Sequence, residues 1–191
     1  MKKIIVGSLI ASSLVYGINN VDLNVNNNTL EVSGEFSLNE AYELNNDSNY
    51  YLTVSFLNSE DKSATTTEKL ASVGFKMLNP YMDDYGFRFG LGIKAVWADN
   101  SKEDFVSIPV QLFASYQIDE KISVDTDIAY APRVLSFLKA QKFTSGKIKL
   151  NYKIMDNGYL YIGGRTISTK YENGTTIKYD SSLFVGYQVQ F

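Results

Sequence analysis

Residues 178–191, the last 14 of 191, read KYDSSLFVGYQVQF. Tyr179, Leu183, Val185, Tyr187, Val189 and Phe191 keep one parity of position, while Asp180, Ser182, Gly186, Gln188 and Gln190 keep the other, broken by Phe184. A period of two is the mark of a β-strand with one apolar and one polar face. A strand of this kind needs neighbours on both edges and a medium for each face.

The same alternation recurs along most of the chain. Leu30, Val32, Gly34, Phe36 and Leu38 oppose Thr29, Glu31, Ser33, Glu35 and Ser37. Tyr50, Leu52, Val54 and Phe56 make the next apolar row, and Ala71, Val73, Phe75 and Met77 the one after. Phe87, Phe89, Leu91, Ile93, Ala95 and Trp97 face away from Gly86, Arg88, Gly90, Gly92 and Lys94. Those glycines either leave room inside a narrow barrel for long side chains such as Arg88, or bend the strand at a corner. Further rows run through 106–116, 122–130, 144–154 and 160–166, and Pro109 predicts a bulge or break in the first of them. Asp156-Asn157-Gly158 and Asn173-Gly174 are hairpin turn signals.

Strands that follow one another through turns form an antiparallel meander. Counting back from Phe191 gives nine strands, and a single-chain bacterial barrel has an even number. Residues 18–26, where Val21, Leu23 and Val25 alternate with Asp22 and Asn24, supply the tenth. The expected fold is all-β: an antiparallel up-and-down transmembrane β-barrel of ten strands, in one domain over 18–191. Eight strands, with 18–49 outside the sheet, is the alternative. With Phe191 on the periplasmic side, the connections at 118–120 and 156–158 fall there too. Those at 58–66, 98–104 and 132–141 fall outside.

Such a barrel escapes hydropathy because only alternate residues meet lipid. After residue 17 no apolar run approaches the roughly 20 residues of a spanning helix. Residues 1–17, MKKIIVGSLIASSLVYG, place Lys2 and Lys3 before an apolar run and small residues, the pattern of a secretory signal peptide cleaved after Gly17. The chain has no cysteine, which suits an oxidising envelope compartment. It has no histidine, which removes the usual general base, the Ser-His nucleophile pair and most zinc sites. A net charge of -3 argues against a nucleic-acid partner. Neither catalysis, a cofactor nor a metal is expected.

A soluble ligand-binding barrel alternates as well, with its apolar face inward. The leader, the terminal aromatic and the charge on the polar face favour the apolar face outward. Tyr50, Tyr116, Tyr130, Tyr152, Tyr179 and Tyr187, near strand ends, are then candidates for the aromatic girdles at the two membrane interfaces. Asp125, Asp127, Lys147, Lys149 and Arg165 point into the lumen. A register that pairs Asp127 with Lys147 also pairs Asp125 with Lys149, and Arg165 on the next strand completes a cluster. The cluster either packs the interior, as in small barrels, or forms a charged constriction for small ions. Glu60, Asp61, Asp99, Glu103 and Asp104, in outer loops, are solvated charges or hold divalent cations that bridge to lipopolysaccharide. Their spacing matches no calcium loop.

The segments YAPRVLSF (130–137), GFRFGLGIKA (86–95), GGRTI (163–167) and VGYQVQF (185–191) together resemble the YfaZ family of outer-membrane proteins. The ending Tyr187, Val189, Phe191 also resembles the C-terminal signal by which outer-membrane barrels are recognised for assembly. The family resemblance implies a small barrel in the outer membrane of a Gram-negative bacterium, with no substrate and no catalytic residues to carry over. The expected role is a structural envelope component or a narrow porin with a charged lumen. A surface receptor or adhesin acting through its outer loops, and a soluble periplasmic ligand-binding barrel, are the alternatives. Expected partners are outer-membrane lipid and lipopolysaccharide, the barrel-assembly machinery and periplasmic chaperones, with the barrel a monomer.

Phe191→Ser removes the terminal aromatic and is expected to lower the amount of folded protein in the outer membrane. A heat-dependent gel shift on membrane fractions reads this directly, and wild-type levels of shifted band would refute it.

Overall fold

The computed structural model describes residues 18–42, 48–60, 67–79, 86–99 and 104–191. The leader assigned to 1–17 lies outside the described residues. The strands are β1 (Ile18–Val25), β2 (Thr29–Ser37), β3 (Asn49–Glu60), β4 (Thr67–Leu78), β5 (Phe87–Asp99), β6 (Phe105–Ser107), β7 (Val110–Gln117), β8 (Ile122–Ala131), β9 (Ser136–Leu138), β10 (Ala140–Met155), β11 (Gly158–Tyr171) and β12 (Thr176–Gln190). One helical turn, α1 (Leu38–Ala41), follows β2, and a 3-10 turn, Arg133–Leu135, precedes β9.

The sheet runs β4-β3-β2-β1-β12-β11-β10-β8-β7-β5 and closes on itself through β4 and β5. Every pairing is antiparallel. The first strand meets the last, from Asn20 opposite Gln190 to Val25 opposite Val185. Residues 18–37 therefore belong to the wall, which excludes the eight-strand arrangement. β6 and β7 form one stave, and β8 and β9 another, so the described strands make a closed barrel of ten staves.

The local devices have simple causes. Pro109 offers no N–H, and the ladder lapses between β6 and β7 while the register against β5 holds, Val96 opposite Ser107 and Ile93 opposite Val110. The expected disturbance at Pro109 is thus a break, and the extra residues sit in the neighbouring stave as the 3-10 turn. Asn26 Oδ1 accepts the N–H groups of Asn28 and Thr29, each at 2.8 Å, and closes the β1–β2 turn. Asp119 Oδ1 does the same for Lys121 (2.7 Å) and Ile122 (2.8 Å) between β7 and β8. Gly174, at φ +84, occupies the left-handed position of the β11–β12 hairpin.

The exterior is apolar. Leu91 is 51% exposed, Ile162 58% and Leu183 80%. On β5 the outward row from Phe87 to Trp97 covers about 33 Å of strand, or about 25 Å of height after a tilt of roughly 40°, the height of a transmembrane apolar band. A soluble barrel would have buried this surface, so that alternative is set aside. Tyr116, Tyr130 and Tyr152 are exposed at strand ends, and Tyr50 and Tyr187 half-buried.

Tyr179 corrects the girdle assignment. It is 2% exposed and points inward. The pairing of β11 with β12 steps from Ile167–Asp180 to Ser168–Lys178, so Tyr179 is the extra residue of a bulge. The parity of β12 changes there, and Tyr179 and Asp180 both enter the lumen.

The interior has two zones. Toward the end away from the termini, Leu57, Leu70, Val96, Phe105, Phe143 and Tyr179 pack with neighbouring buried apolar residues into a core inside the barrel. Phe105 stands at its centre, 5.9 Å from the Phe143 and Tyr179 rings and 6.3 Å from Tyr171. The hydroxyls of Tyr171 and Tyr179 share a 3.0 Å hydrogen bond. Toward the terminal end the lumen is polar.

Phe105→Ala empties the centre of this core and is expected to cost about 3–5 kcal/mol. Urea unfolding of the barrel in lipid vesicles measures it. A change below about 1 kcal/mol would mean the core is not close-packed.

Candidate functional site

The polar lumen begins with residues that alternation already turns inward. On β1 these are Asn20, Asp22 and Asn24, and on β2 Thr29, Glu31 and Glu35, each followed by an apolar residue of the opposite parity. The sequence-predicted cluster meets them from the other side of the closure seam. Lys147 stands opposite Asp127 and Lys149 opposite Asp125, the register expected from the sequence.

The ion pairs nevertheless run elsewhere, which corrects the cross-strand pairing. Lys147 Nζ donates to Glu31 Oε2 at 2.7 Å, and Lys149 Nζ to Asp22 Oδ2 at 3.2 Å. Both lysines span the lumen to β1 and β2 and leave their strand neighbours behind. Asp125 accepts the Ser115 hydroxyl at 2.6 Å and Asn151 Nδ2 at 2.7 Å. Asp127 accepts Gln111 Nε2 at 3.4 Å.

Arg165 is 4% exposed and holds the densest part of the network. Its Nε donates to Asp180 Oδ2 at 2.8 Å, its Nη1 to Asn24 Oδ1 at 2.9 Å and its Nη2 to Thr29 Oγ1 at 2.9 Å. Nη1 also pairs with Glu31 and Nη2 with Asp180. Glu31 thus receives Arg165, Lys147 and, at 2.8 Å, Asn24 Nδ2. A second centre joins Lys76 to Glu35, with Asn20 Nδ2 on the same carboxylate at 2.8 Å. Desolvated carboxylates are tolerable only with such partners.

Aromatic rings frame the charges. Arg165 Cζ lies 5.2 Å from the Phe184 ring centroid, and Lys149 Nζ 4.8 Å from that of Tyr161. The Tyr161 hydroxyl donates to Asp22. Two glycines make the space. A Cβ on Gly163 would meet Phe184 at 2.6 Å, and one on Gly186 would meet the Tyr161 ring at 2.2 Å. On β5 the glycines serve other neighbours than expected. Gly90 lies against Leu78 and Gly92 against Phe113, while Arg88 Nε reaches the rim and donates to the Asn79 carbonyl at 3.0 Å.

Between these centres lies a cavity of about 320 Å³. Glu35, Lys76, Lys94, Gln111, Asp127 and Lys149 are among its lining residues. Sequence reasoning missed Glu31, Glu35, Asp22 and Asp180 as partners. The signal was present in the acidic residues alternating along β1 and β2. Of the acidic loop residues, Glu60 and Asp104 are exposed; Asp61, Glu103 and the side chain of Asp99 lie outside the described residues.

A family model described as YfaZ precursor matches residues 1–191. No curated protein sequence matches the chain. Among solved structures, the NanC porin is 11% identical with a TM-score of 0.50, over 92% of this chain and 98% of that one. OmpT of Vibrio cholerae, in its trimer form, is 9% identical with a TM-score of 0.42, over 85% of this chain. The chain spans 56% of the length of that OmpT. At such identities the likeness to NanC is one of fold.

A double-mutant cycle between Lys147 and Glu31 is expected to show coupling of about 1–3 kcal/mol. The cycle between Lys147 and Asp127 should be nearly additive, within about 0.5 kcal/mol. Unfolding midpoints of the single and double alanine variants give both. Stronger coupling to Asp127 would place the ammonium on its strand neighbour.

Proposed function

The chain belongs to the YfaZ family, as an outer-membrane β-barrel, and we propose that it is a structural component of the envelope whose lumen does not conduct. The observation that carries this reading is the apolar core around Phe105, Phe143 and Tyr179, which fills the lumen at the end away from the termini. An ion crossing it would shed most of its water against a largely apolar lining, where the buried polar groups are few, among them Ser59, Glu68 and Thr169. With the termini in the periplasm, this core seals the outer side, and the charged cavity faces inward. The ion pairs of Arg165, Lys147 and Lys149 brace the wall below it.

A narrow porin is the second reading, and the polar cavity of about 320 Å³ is what favours it. In that case the aromatic core is the gate. A receptor or adhesin role finds less support, because the connections at that end are short. In the structural role the protein works as a monomer, placed by the barrel-assembly machinery and periplasmic chaperones and bounded by lipid and lipopolysaccharide.

Planar-bilayer recording decides between the two. The wild-type barrel, confirmed as folded by its gel shift, is expected to give no discrete openings. Phe105→Gly with Tyr179→Gly should give them, because it opens the core. Steady openings from the wild type would establish the porin.

A further inference from the structure

Three lysines on the outer wall form no ion pair among the described residues. Lys142, Lys170 and Lys178 lie on β10, β11 and β12, near the end of the barrel away from the termini. Each is exposed, and each is flanked by inward residues: Phe143 beside Lys142, Thr169 and Tyr171 around Lys170, Ile177 and Tyr179 around Lys178. Their side chains therefore leave the wall on its lipid-facing side. Lys142 stands directly opposite Lys170 in the ladder. Lys178 stands opposite Ser168, diagonal to Lys170. Directly opposed side chains begin about 5 Å apart, where like charges repel.

The described residues supply these cations with no anion. No described carboxylate forms an ion pair with any of the three. The exposed carboxylate nearest in sequence, Glu172, is taken by Arg133 at 2.9 Å. Lys142 Nζ instead lies 5.4 Å from the Tyr130 ring centroid, an interface aromatic that orients the ammonium along the outer wall.

What lies beneath the lysines on the same three strands is ordered by chemistry. First comes a hydroxyl row: Thr144 and Ser168, bonded to each other at 2.9 Å, with Thr166 and Ser181 exposed beside them. Then comes the apolar belt, with Ile148, Ile162 and Leu183 exposed. Cations above hydroxyls above hydrocarbon is the complement of a lipid that presents phosphate, sugar and acyl chain in that order.

We propose that the outer face of β10, β11 and β12 is a binding site for a phosphorylated glycolipid of the outer leaflet, the lipid A portion of lipopolysaccharide. The phosphates bridge Lys142, Lys170 and Lys178 and cancel their mutual repulsion. The sugar hydroxyls meet Thr144, Thr166, Ser168 and Ser181, and the acyl chains lie along the belt. The site is on the outside of the wall, so it stands whether or not the lumen conducts.

The test titrates the delipidated full barrel in detergent with bisphosphorylated lipid A, dephosphorylated lipid A and phosphatidylglycerol, read by native mass spectrometry. The triple variant Lys142→Gln, Lys170→Gln, Lys178→Gln is expected to bind bisphosphorylated lipid A roughly tenfold or more weakly than wild type. Lys69→Gln, on the exposed wall of β4, should bind as wild type does. Dephosphorylated lipid A should bind wild type and triple variant alike. If the triple variant lacks the gel shift of a folded barrel, Lys170→Gln alone serves. It removes one of the two opposed charges, so it should raise the unfolding midpoint without lipid and weaken lipid A binding several-fold. Unchanged affinity in these variants, no preference for the phosphorylated lipid, or equally tight phosphatidylglycerol would overturn the assignment.

Discussion

The structure depends on the seam where its first strand meets its last. Roughly 160 residues separate the two edges in sequence, and joining them carries the largest loop-closure cost in the molecule. Arg165 stands at that seam. From β11 it reaches Asp180 on β12, Asn24 on β1, and Thr29 and Glu31 on β2. Four consecutive staves are thus tied by one planar group. Its fork of donors suits this, because each carboxylate needs a partner held in a fixed place. Backbone pairing closes the sheet, and this network ties the two edges together in the register of that ladder.

From that anchor the lumen divides by what each strand end can offer. Below, inward polar residues meet across a narrow interior and neutralise one another, as Lys147 and Lys149 do with Glu31 and Asp22. Above, Leu57, Val96 and Phe143 have no polar partner to meet and pack as an ordinary core. A barrel of this width lets side chains from opposite walls touch, so the interior is shared between the two kinds of contact. Gly163 and Gly186 show how tight it is, since each yields its side-chain space to an aromatic ring.

The outside follows a different rule. The apolar row on β5 reaches up to Trp97, whereas on β10, β11 and β12 hydroxyls and lysines stand above a lower belt. The lipid-facing wall is therefore apolar to a greater height on β5 than on β10, β11 and β12, where it is graded in polarity. That asymmetry makes the graded side a surface for a specific lipid instead of a generic contact with the bilayer.

Much of this was legible in the residues themselves. A period of two names the strands and their faces, because successive side chains on an extended chain point opposite ways. It also links the pairs, since a register that opposes Asp127 to Lys147 must oppose Asp125 to Lys149. The inward charges of Lys147, Lys149 and Arg165 follow from the same parity. The partners of those charges do not. A lysine's reach exceeds the distance to its strand neighbour, and closure brings Glu31 and Asp22 to it from the far end of the chain. Nor could parity place Tyr179, because a single bulged residue inverts the face of all that precedes it. The core around Phe105 was hidden for a related reason: apolar residues on both faces of a strand end are ambiguous until closure shows that the inner ones meet. Alternation, a local property, determined the wall; only the closed barrel decided what touches across it.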